Sequence, residues 1–247
     1  MKRRAATSTT IRIAATAVFT SLVFVATTIF SIYVPQTKGF FNIGETMVYA
    51  TALLFGPVVG AFAGGFGSML ADLFLGYHHY APATLIIKAC EGAVVGVLTQ
   101  RRLRFHSRLQ WKFFTVIFGV IVGVLLGTIG ALYYSGSVEL YIGIPPPESP
   151  TLNLFVPKEL WYSLGILVIL LISLTGFVFD PEFGWSVFSI LLGGSLMIVG
   201  YFLYQQFFLG VLAVAEIPVN IGQMTIGLIV ALPIVRAIWR YLPSIKT

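Results

Sequence analysis

Residues 46–76, TMVYATALLFGPVVGAFAGGFGSMLADLFLG, decide the fold of this chain. The stretch carries one charged residue, Asp72, and exceeds the roughly 20 helical residues that cross a bilayer core about 30 Å thick. The pair Gly56-Pro57 interrupts it. Glycine is common just after the end of a helix, and proline is common in the first turn of the next one. We therefore predict two short, closely packed membrane helices with a turn near Gly56-Pro57.

Six more apolar runs extend this prediction to the whole chain. The 247 residues are 57% hydrophobic and 10% charged, with a mean hydropathy of +0.93, whereas an ordinary globular domain has about 25% charged residues. This composition excludes a soluble or disordered protein, and one cysteine excludes an internal disulfide. Because the runs are continuous and lack the alternation of barrel strands, we predict an all-α integral membrane protein. The runs are residues 13–34, 82–99, 113–134, 160–179, 183–215 and 217–235.

The positions of the basic residues predict the topology. Three clusters hold most of the 15 basic residues, and the positive-inside rule places all three, with both chain termini, in the cytoplasm. An even number of crossings must separate the first two clusters, so residues 46–76 cross twice and the total is about eight helices. The net charge of +6 is then explained by the orientation of the chain in the membrane, so we predict no nucleic-acid partner. The clusters are Lys2, Arg3, Arg4 and Arg12; Arg101, Arg102, Arg104, Arg108 and Lys112; and Arg236, Arg240 and Lys246.

The outer loops and the tryptophans follow from this topology. The longest outer loop, residues 135–159, contains Pro145-Pro146-Pro147 and Pro150, and we predict an irregular extracellular excursion. The tryptophans fall near helix ends, as in the aromatic belts of membrane proteins. They are Trp111, Trp185 and Trp239 at inner ends and Trp161 at an outer end. The other outer loops are residues 35–44, 77–81 and roughly 209–218.

Three ionisable residues lie within the apolar runs, where each costs a few kcal/mol unless it is paired or hydrated. With a helical rise of about 1.5 Å per residue, Asp72 lies roughly 6 Å and Lys88 roughly 9 Å from the outer helix ends. Their similar depth on consecutive helices predicts an ion pair. Glu91 lies one turn deeper than Lys88 on the same face. The sequence leaves open whether this group fixes helix packing or lines a ligand cavity.

Other polar residues also gather in the outer half of the helices. Asn42 and Glu45 have the spacing of an N-cap with its reciprocal glutamate. Tyr77-His78-His79-Tyr80 forms an outer loop that is either an interfacial aromatic belt or part of a site, and we predict no metal there because no third ligand has a suitable spacing. Late in the chain lie Tyr201, Tyr204, Gln205, Glu216, Asn220 and Gln223. The inner half is almost wholly apolar, which favours a pocket open to the outside over a channel.

Small residues and missing motifs complete the sequence evidence. Ala14, Ala17 and Ser21 form a strip on the first helix, of the kind that lets helices approach closely. Glycine pairs four residues apart recur at Gly60, Gly92 and Gly119, and internal packing is the simplest reading of each. The chain contains no G-x-x-x-x-G-K-[ST], H-E-x-x-H or G-x-S-x-G motif, so we predict neither nucleotide hydrolysis by this chain nor an enzyme.

Several motifs follow one another along the chain. They are Phe41-Asn42-Ile-Gly-Glu45, Leu54-Phe-Gly-Pro57, Gly67-Ser-Met-Leu-Ala-Asp72, Gly76-Tyr77, Ala81-Pro-Ala-Thr84, Ile87-Lys88 with Glu91-Gly92, Gly200-Tyr201, and Glu216-Ile-Pro-Val-Asn220 with Gln223 and Gly227. Their order and spacing resemble the S components of energy-coupling factor (ECF) vitamin transporters, and most closely the riboflavin-specific group. The resemblance covers residues 13–100 and 185–240. Family members usually have six helices, so residues 111–182 read as an inserted helix pair within a single membrane domain spanning residues 1–247.

This resemblance implies a multi-pass subunit of a prokaryotic plasma membrane, surrounded by lipid, that captures a vitamin such as riboflavin or a related heterocycle as substrate and needs no cofactor. It also implies partners, namely a transmembrane coupling protein that contacts Ala14, Ala17 and Ser21, and two ABC-type ATPases. A first outer loop would close the pocket. The predicted substrate-binding residues are Asn42, Glu45, Asp72, Tyr77, Lys88, Glu91, Tyr201, Asn220 and Gln223.

Two other functions remain open at this point. A self-sufficient facilitator or proton-coupled carrier would transport without ATPase partners. An intramembrane enzyme would use Glu91 with His78 or His79 as acid and base, which requires these groups within about 3 Å of each other or of a shared water.

Overall fold

The computed structural model describes residues 2–101, 107–142, 147–178 and 181–241. Within these ranges the chain forms eight α-helices, one 3-10 helix and four β-strands. Of the residues used for the topology prediction, Arg102, Arg104, Lys246, Pro145 and Pro146 lie outside the described ranges. The helices are α1 (Lys2–Ile29), α2 (Glu45–Phe55), α3 (Pro57–Leu75), α4 (Ala81–Gln100), α5 (Arg108–Tyr133), α6 (Lys158–Val178), α7 (Pro181–Leu209) and α8 (Glu216–Tyr241). The strands are β1 (Ser31–Val34), β2 (Gly39–Asn42), β3 (Gly136–Ile142) and β4 (Leu152–Val156).

Six described segments are long and apolar enough to cross a membrane. Five of them lie in α1, α3, α4, α5 and α6, and the sixth, Gly184–Tyr241, has 58 residues and contains most of α7 and all of α8. The 3-10 helix Gly210–Ala215 joins these two helices, so this segment is long enough for two crossings. The prediction of an all-α membrane protein with about eight helices is confirmed.

The predicted turn at Gly56-Pro57 separates α2 from α3. Gly56 has a φ of 81°, which a residue with a Cβ adopts only with strain, and Pro57 begins α3. With 11 residues, α2 rises only about 16 Å, so it is shorter than a full crossing. It ends beside Gln100, the last residue of α4, whose side chain contacts Gly56.

The loops predicted to lie outside the membrane form a four-stranded antiparallel sheet in the order β2-β1-β3-β4, and "outer" refers below to the side of this sheet. The first loop is a hairpin in which Ser31 pairs with Asn42 and Val34 with Gly39, so the helix predicted for residues 13–34 ends earlier, at Ile29. The prediction of an irregular third loop is wrong, because β3 and β4 pair with each other and β3 also pairs with β1. This loop therefore extends the hairpin of the first one.

Glycines let neighbouring helices touch through their backbones, as internal packing predicts. A Cβ on Gly92 would lie 2.6 Å from the carbonyl carbon of Gly60, which places α3 against α4. Gly123 of α5 and Gly165 of α6 approach each other in the same way. Two of the tryptophans are also internal, since Trp111 and Trp185 are 1% and 4% exposed. The prediction of an interfacial belt is wrong for these two, because they pack between helices instead of facing the membrane surface.

Candidate ligand-binding site

A narrow cavity lies beneath the β1–β2 hairpin, between the outer halves of α3, α4, α7 and α8. It has about 460 Å³ of space between atoms, counting its opening to solvent. Most of the residues around it are polar, and most of those are buried. The cavity is lined by Thr27, Gly39, Phe40, Asn42, Ser68, Asp72, Tyr80, Thr84, Lys88, Tyr201, Glu216, Asn220 and Gln223.

The structure brings most of the predicted site residues to this cavity. Six of the nine line it, namely Asn42, Asp72, Lys88, Tyr201, Asn220 and Gln223. The other three lie directly behind the lining. Glu45 and Glu91 bind Lys88, and Tyr77 stacks on Phe40 with 4.6 Å between ring centroids.

Lys88 is the centre of a buried ion cluster. Its ammonium group donates to Glu45 Oε1 at the start of α2 and to Glu91 Oε2, at 3.1 Å, one turn further along α4. Tyr49 OH donates to the other oxygen of Glu91, Oε1, at 2.8 Å. The predicted Asp72–Lys88 ion pair is wrong. The N-terminus of α2 brings Glu45 to Lys88, so the ammonium group is shared by Glu45 and Glu91 and forms no ion pair with Asp72.

The first hairpin connects to α8 through amide groups rather than through a helix cap. Asn42 Oδ1 accepts from the backbone N–H of Gly44 at 2.8 Å, and the N-cap of α2 is Gly44, which makes no side-chain capping bond. The predicted capping box is therefore wrong, because Glu45 is turned toward Lys88. The backbone N–H of Asn42 donates to Gln223 Oε1 at 3.3 Å, and Gln223 Nε2 donates to Asn220 Oδ1 at 2.9 Å.

Aromatic residues close the outer side of the cavity. Tyr80 is 5% exposed, donates its hydroxyl to the carbonyl of Thr37 in the hairpin at 2.7 Å and accepts from Gln205 Nε2 at 2.9 Å. Burial, more than any nearby charge, raises the pKa of Tyr80 and of Tyr77, so both hydroxyls stay protonated and can donate. These two tyrosines are not an interfacial belt, since they pack inward.

The two histidines of this loop lie at the surface. Partial burial, with smaller contributions from Lys38 and His78, lowers the pKa of His79, which favours its neutral form. Glu91 is fully buried and its partners are Lys88 and Tyr49. The arrangement that an intramembrane acid–base pair of Glu91 with a histidine requires is therefore not formed.

Three buried polar atoms at the cavity lack a hydrogen-bond partner among the residues that the structure describes. They are Asp72 Oδ2, Glu216 Oε2 and Asn220 Nδ2. The nearest polar neighbours of these carboxyl groups are Thr84 for Asp72 and Thr37 and Gln205 for Glu216. Unsatisfied buried polar atoms are costly, so their position around one cavity indicates a place for a ligand.

Seven residues of the lining were not among the predicted site residues. They are Thr27, Gly39, Phe40, Ser68, Tyr80, Thr84 and Glu216. Glu216 could have been predicted from the sequence, because a carboxylate at the outer start of an apolar helix is costly. Gly39 and Phe40 could not have been predicted from the sequence, since only the hairpin that folds over the helices brings them to the cavity.

A family model for the ECF-type riboflavin transporter S component matches residues 7–177, more than half of the chain. The chain belongs to this family. The match begins in α1 and runs through α6, so it includes the helices α5 and α6. This S component is therefore a transport protein of the prokaryotic plasma membrane that crosses it several times, and its family is not a class of enzymes.

Two relatives are each similar to about half of the chain. A protein of Pyrococcus woesei described as an "Uncharacterized protein in gap 3'region" is 37% identical over 119 residues, which are 48% of this chain and 73% of the relative. The thiamine precursor transporter HmpT of Lactococcus lactis subsp. cremoris (strain MG1363) is 30% identical over 122 residues, which are 49% of this chain and 68% of the relative. No solved structure matches the chain.

Proposed function

We propose that this S component captures a vitamin, riboflavin or a related nitrogen heterocycle, in the cavity beneath the β1–β2 hairpin. The observation that carries the proposal is the set of unpartnered buried polar atoms of Asp72, Glu216 and Asn220 around one cavity. Aromatic side chains next to them, Tyr80 and Phe40, suit a flat heteroaromatic ring, which stacks on such faces. The family description names riboflavin and the description of one relative names a thiamine precursor. Both compounds are nitrogen heterocycles.

We further propose that uptake depends on a transmembrane coupling protein and two ABC-type ATPases. The chain contains no G-x-x-x-x-G-K-[ST] phosphate-binding loop, so it carries no such ATPase site. Ala14, Ala17 and Ser21 are all exposed and lie on one face of α1, whereas Val23 and Thr27 are buried. An exposed strip of small side chains on a membrane helix allows a partner helix to pack closely. This supports the strip as the docking surface for the coupling protein.

The first experiment tests binding by the S component alone. The protein is purified in detergent, the small molecules that accompany it are identified by mass spectrometry, and binding of riboflavin and of thiamine precursors is then measured by titration. One heterocycle should accompany the protein or bind at one site per chain, and a bound flavin would be visible by its absorbance. Failure of every tested heterocycle to bind would contradict the proposed capture function.

The second experiment tests the partners. In proteoliposomes, uptake should require the coupling protein, both ATPases and ATP, and Ala17→Trp should abolish uptake while leaving ligand binding unchanged, because the indole blocks close helix packing. Leu132→Trp, at a residue of α5 that is 78% exposed, is the matched control and should transport normally. Equal uptake without the ATPases would support a self-sufficient carrier instead.

A further inference from the structure

The charges around the cavity do not balance. Lys88 is the one cation among the described residues that line it, and its ammonium group is already shared by Glu45 and Glu91. Asp72 and Glu216 also line the cavity, and in the part of the chain that the structure describes neither forms an ion pair. Two carboxyl groups therefore face the cavity without a positive partner from the protein.

These carboxyl groups are deeply buried and incompletely bonded. Asp72 is 4% exposed and Glu216 is 5% exposed, and each keeps one oxygen without a partner. Thr84 lies beside the Asp72 carboxyl, and Thr37 and Gln205 lie beside that of Glu216, so each carboxyl keeps accepting capacity for a ligand. A buried carboxylate without a cation is costly in a membrane-embedded site.

The remaining unpartnered group at the cavity is a donor. Asn220 is 2% exposed, and its Nδ2 has no acceptor among the described residues, because Oδ1 accepts from Gln223 Nε2. The open positions of the site are thus two acceptors that favour positive charge and one amide donor. A complementary ligand offers N–H groups or positive charge toward Asp72 and Glu216 and one acceptor toward Asn220.

We infer that the ligand is an amino-substituted or cationic nitrogen heteroaromatic, such as an aminopyrimidine, which places its N–H donors against the carboxyl groups of Asp72 and Glu216. An exocyclic amino group beside a ring nitrogen offers a donor and an acceptor on one edge, which matches a carboxyl group and an amide N–H. A ring that presents only carbonyl oxygens on that edge would meet acceptors with acceptors. This inference rests on the proposed capture function and narrows its substrate class.

The test compares two ligands that differ by one group. A 4-aminopyrimidine and the matching 4-methoxypyrimidine have the same ring nitrogens, but the exchange replaces an amino donor by an ether oxygen that can only accept. Leaving one buried polar group unpaired weakens binding about tenfold to 100-fold, so the amino compound should bind the purified S component at least tenfold more tightly. Thiamine and riboflavin extend the comparison to a cationic and a neutral vitamin, and the cationic one should bind more tightly.

Variants assign the preference to the carboxyl groups. Asp72→Asn and Glu216→Gln each place an amide where the ligand donor binds, so each should reduce the preference for the amino compound about tenfold or more. Ser189→Ala, at a buried serine of α7 that does not line the cavity, should keep the preference. If one carboxyl variant fails to fold, the other variant and the relative affinities of the two compounds for the wild-type protein still test the inference.

The outcomes separate this inference from the proposed function. Equal or tighter binding of the methoxypyrimidine, or of riboflavin over thiamine, would overturn the inference while leaving capture of a heterocycle intact. An amino preference that survives in both carboxyl variants would also overturn it. Absence of binding by all four compounds would overturn it together with the proposed function.

Discussion

Replacing Lys88 by methionine should destabilise the protein strongly, because the side chain serves two buried carboxylates. At the 3.1 Å that separates Nζ from Glu91 Oε2, an effective dielectric constant of about 20 gives an attraction of about 5 kcal/mol. Removing one partner of a buried pair costs about 3–5 kcal/mol. Since Glu45 loses the same cation, we expect Lys88→Met to lower the free energy of unfolding by about 3–5 kcal/mol.

A second substitution shows whether charge is the cause. Glu45→Gln in the Lys88→Met background removes one of the two uncompensated carboxylates, so it should restore at least about 1 kcal/mol, within the range of coupling between contacting residues. In the wild-type background the same Glu45→Gln change removes a favourable partner and should destabilise. The opposite signs in the two backgrounds are the signature of a shared cation.

Unfolding of the purified protein in one detergent, followed by tryptophan fluorescence during heating and chemical denaturation, measures both effects. Lys38→Met, at an exposed lysine, is the control and should change stability by less than about 0.5 kcal/mol. If Lys88→Met were as stable as Lys38→Met, or if Glu45→Gln destabilised equally in both backgrounds, Lys88 would not hold the two carboxylates together.

Two further predictions concern the helix contacts and the outer sheet. Gly92→Ala should lower the free energy of unfolding by about 1–3 kcal/mol, because the new Cβ would meet the backbone of α3. Gly127→Ala is the control: its Cβ would have only contacts of 3.4 Å or more, so the better helix propensity of alanine should stabilise the protein. Thermal unfolding measures both variants, and a Gly92→Ala protein as stable as wild type would contradict the close contact. Tyr33 pairs with Tyr141 across β1 and β3, so a disulfide between cysteines at these two positions, in a Cys90→Ala background, should hold the hairpin over the cavity and slow ligand association measured by stopped flow. Reduction of the disulfide should restore the rate, and an association rate that does not depend on reduction would show that ligand enters without movement of the hairpin.

The sequence predicted the helices well because the physical signal is direct. Apolar runs of membrane length have few alternative structures, and the turn at Gly56 follows from a residue pair that ends one helix and starts another. The outer sheet was missed for the opposite reason. β1 continues the apolar run of α1, so composition did not separate them, and the pairing of β1 with β3 joins segments more than 100 residues apart.

The site could be predicted as a set of residues but not as a set of contacts. Ionisable residues such as Asp72, Lys88 and Glu91 are conspicuous in apolar helices, because burying them is costly. Depth along a helix, however, does not say which neighbour a side chain faces. Lys88 therefore pairs with Glu45 rather than Asp72, a contact that depends on where α2 begins in space.

Equilibrium binding to the purified S component without partner proteins tests the central claim most directly. Wild-type protein should bind one nitrogen heterocycle per chain, and Asn220→Ala, which removes a buried amide of the cavity, should weaken that binding while the protein remains folded by its thermal unfolding. Identical affinity in Asn220→Ala, Asp72→Asn and Glu216→Gln would show that the ligand binds elsewhere and would contradict the assignment of this cavity.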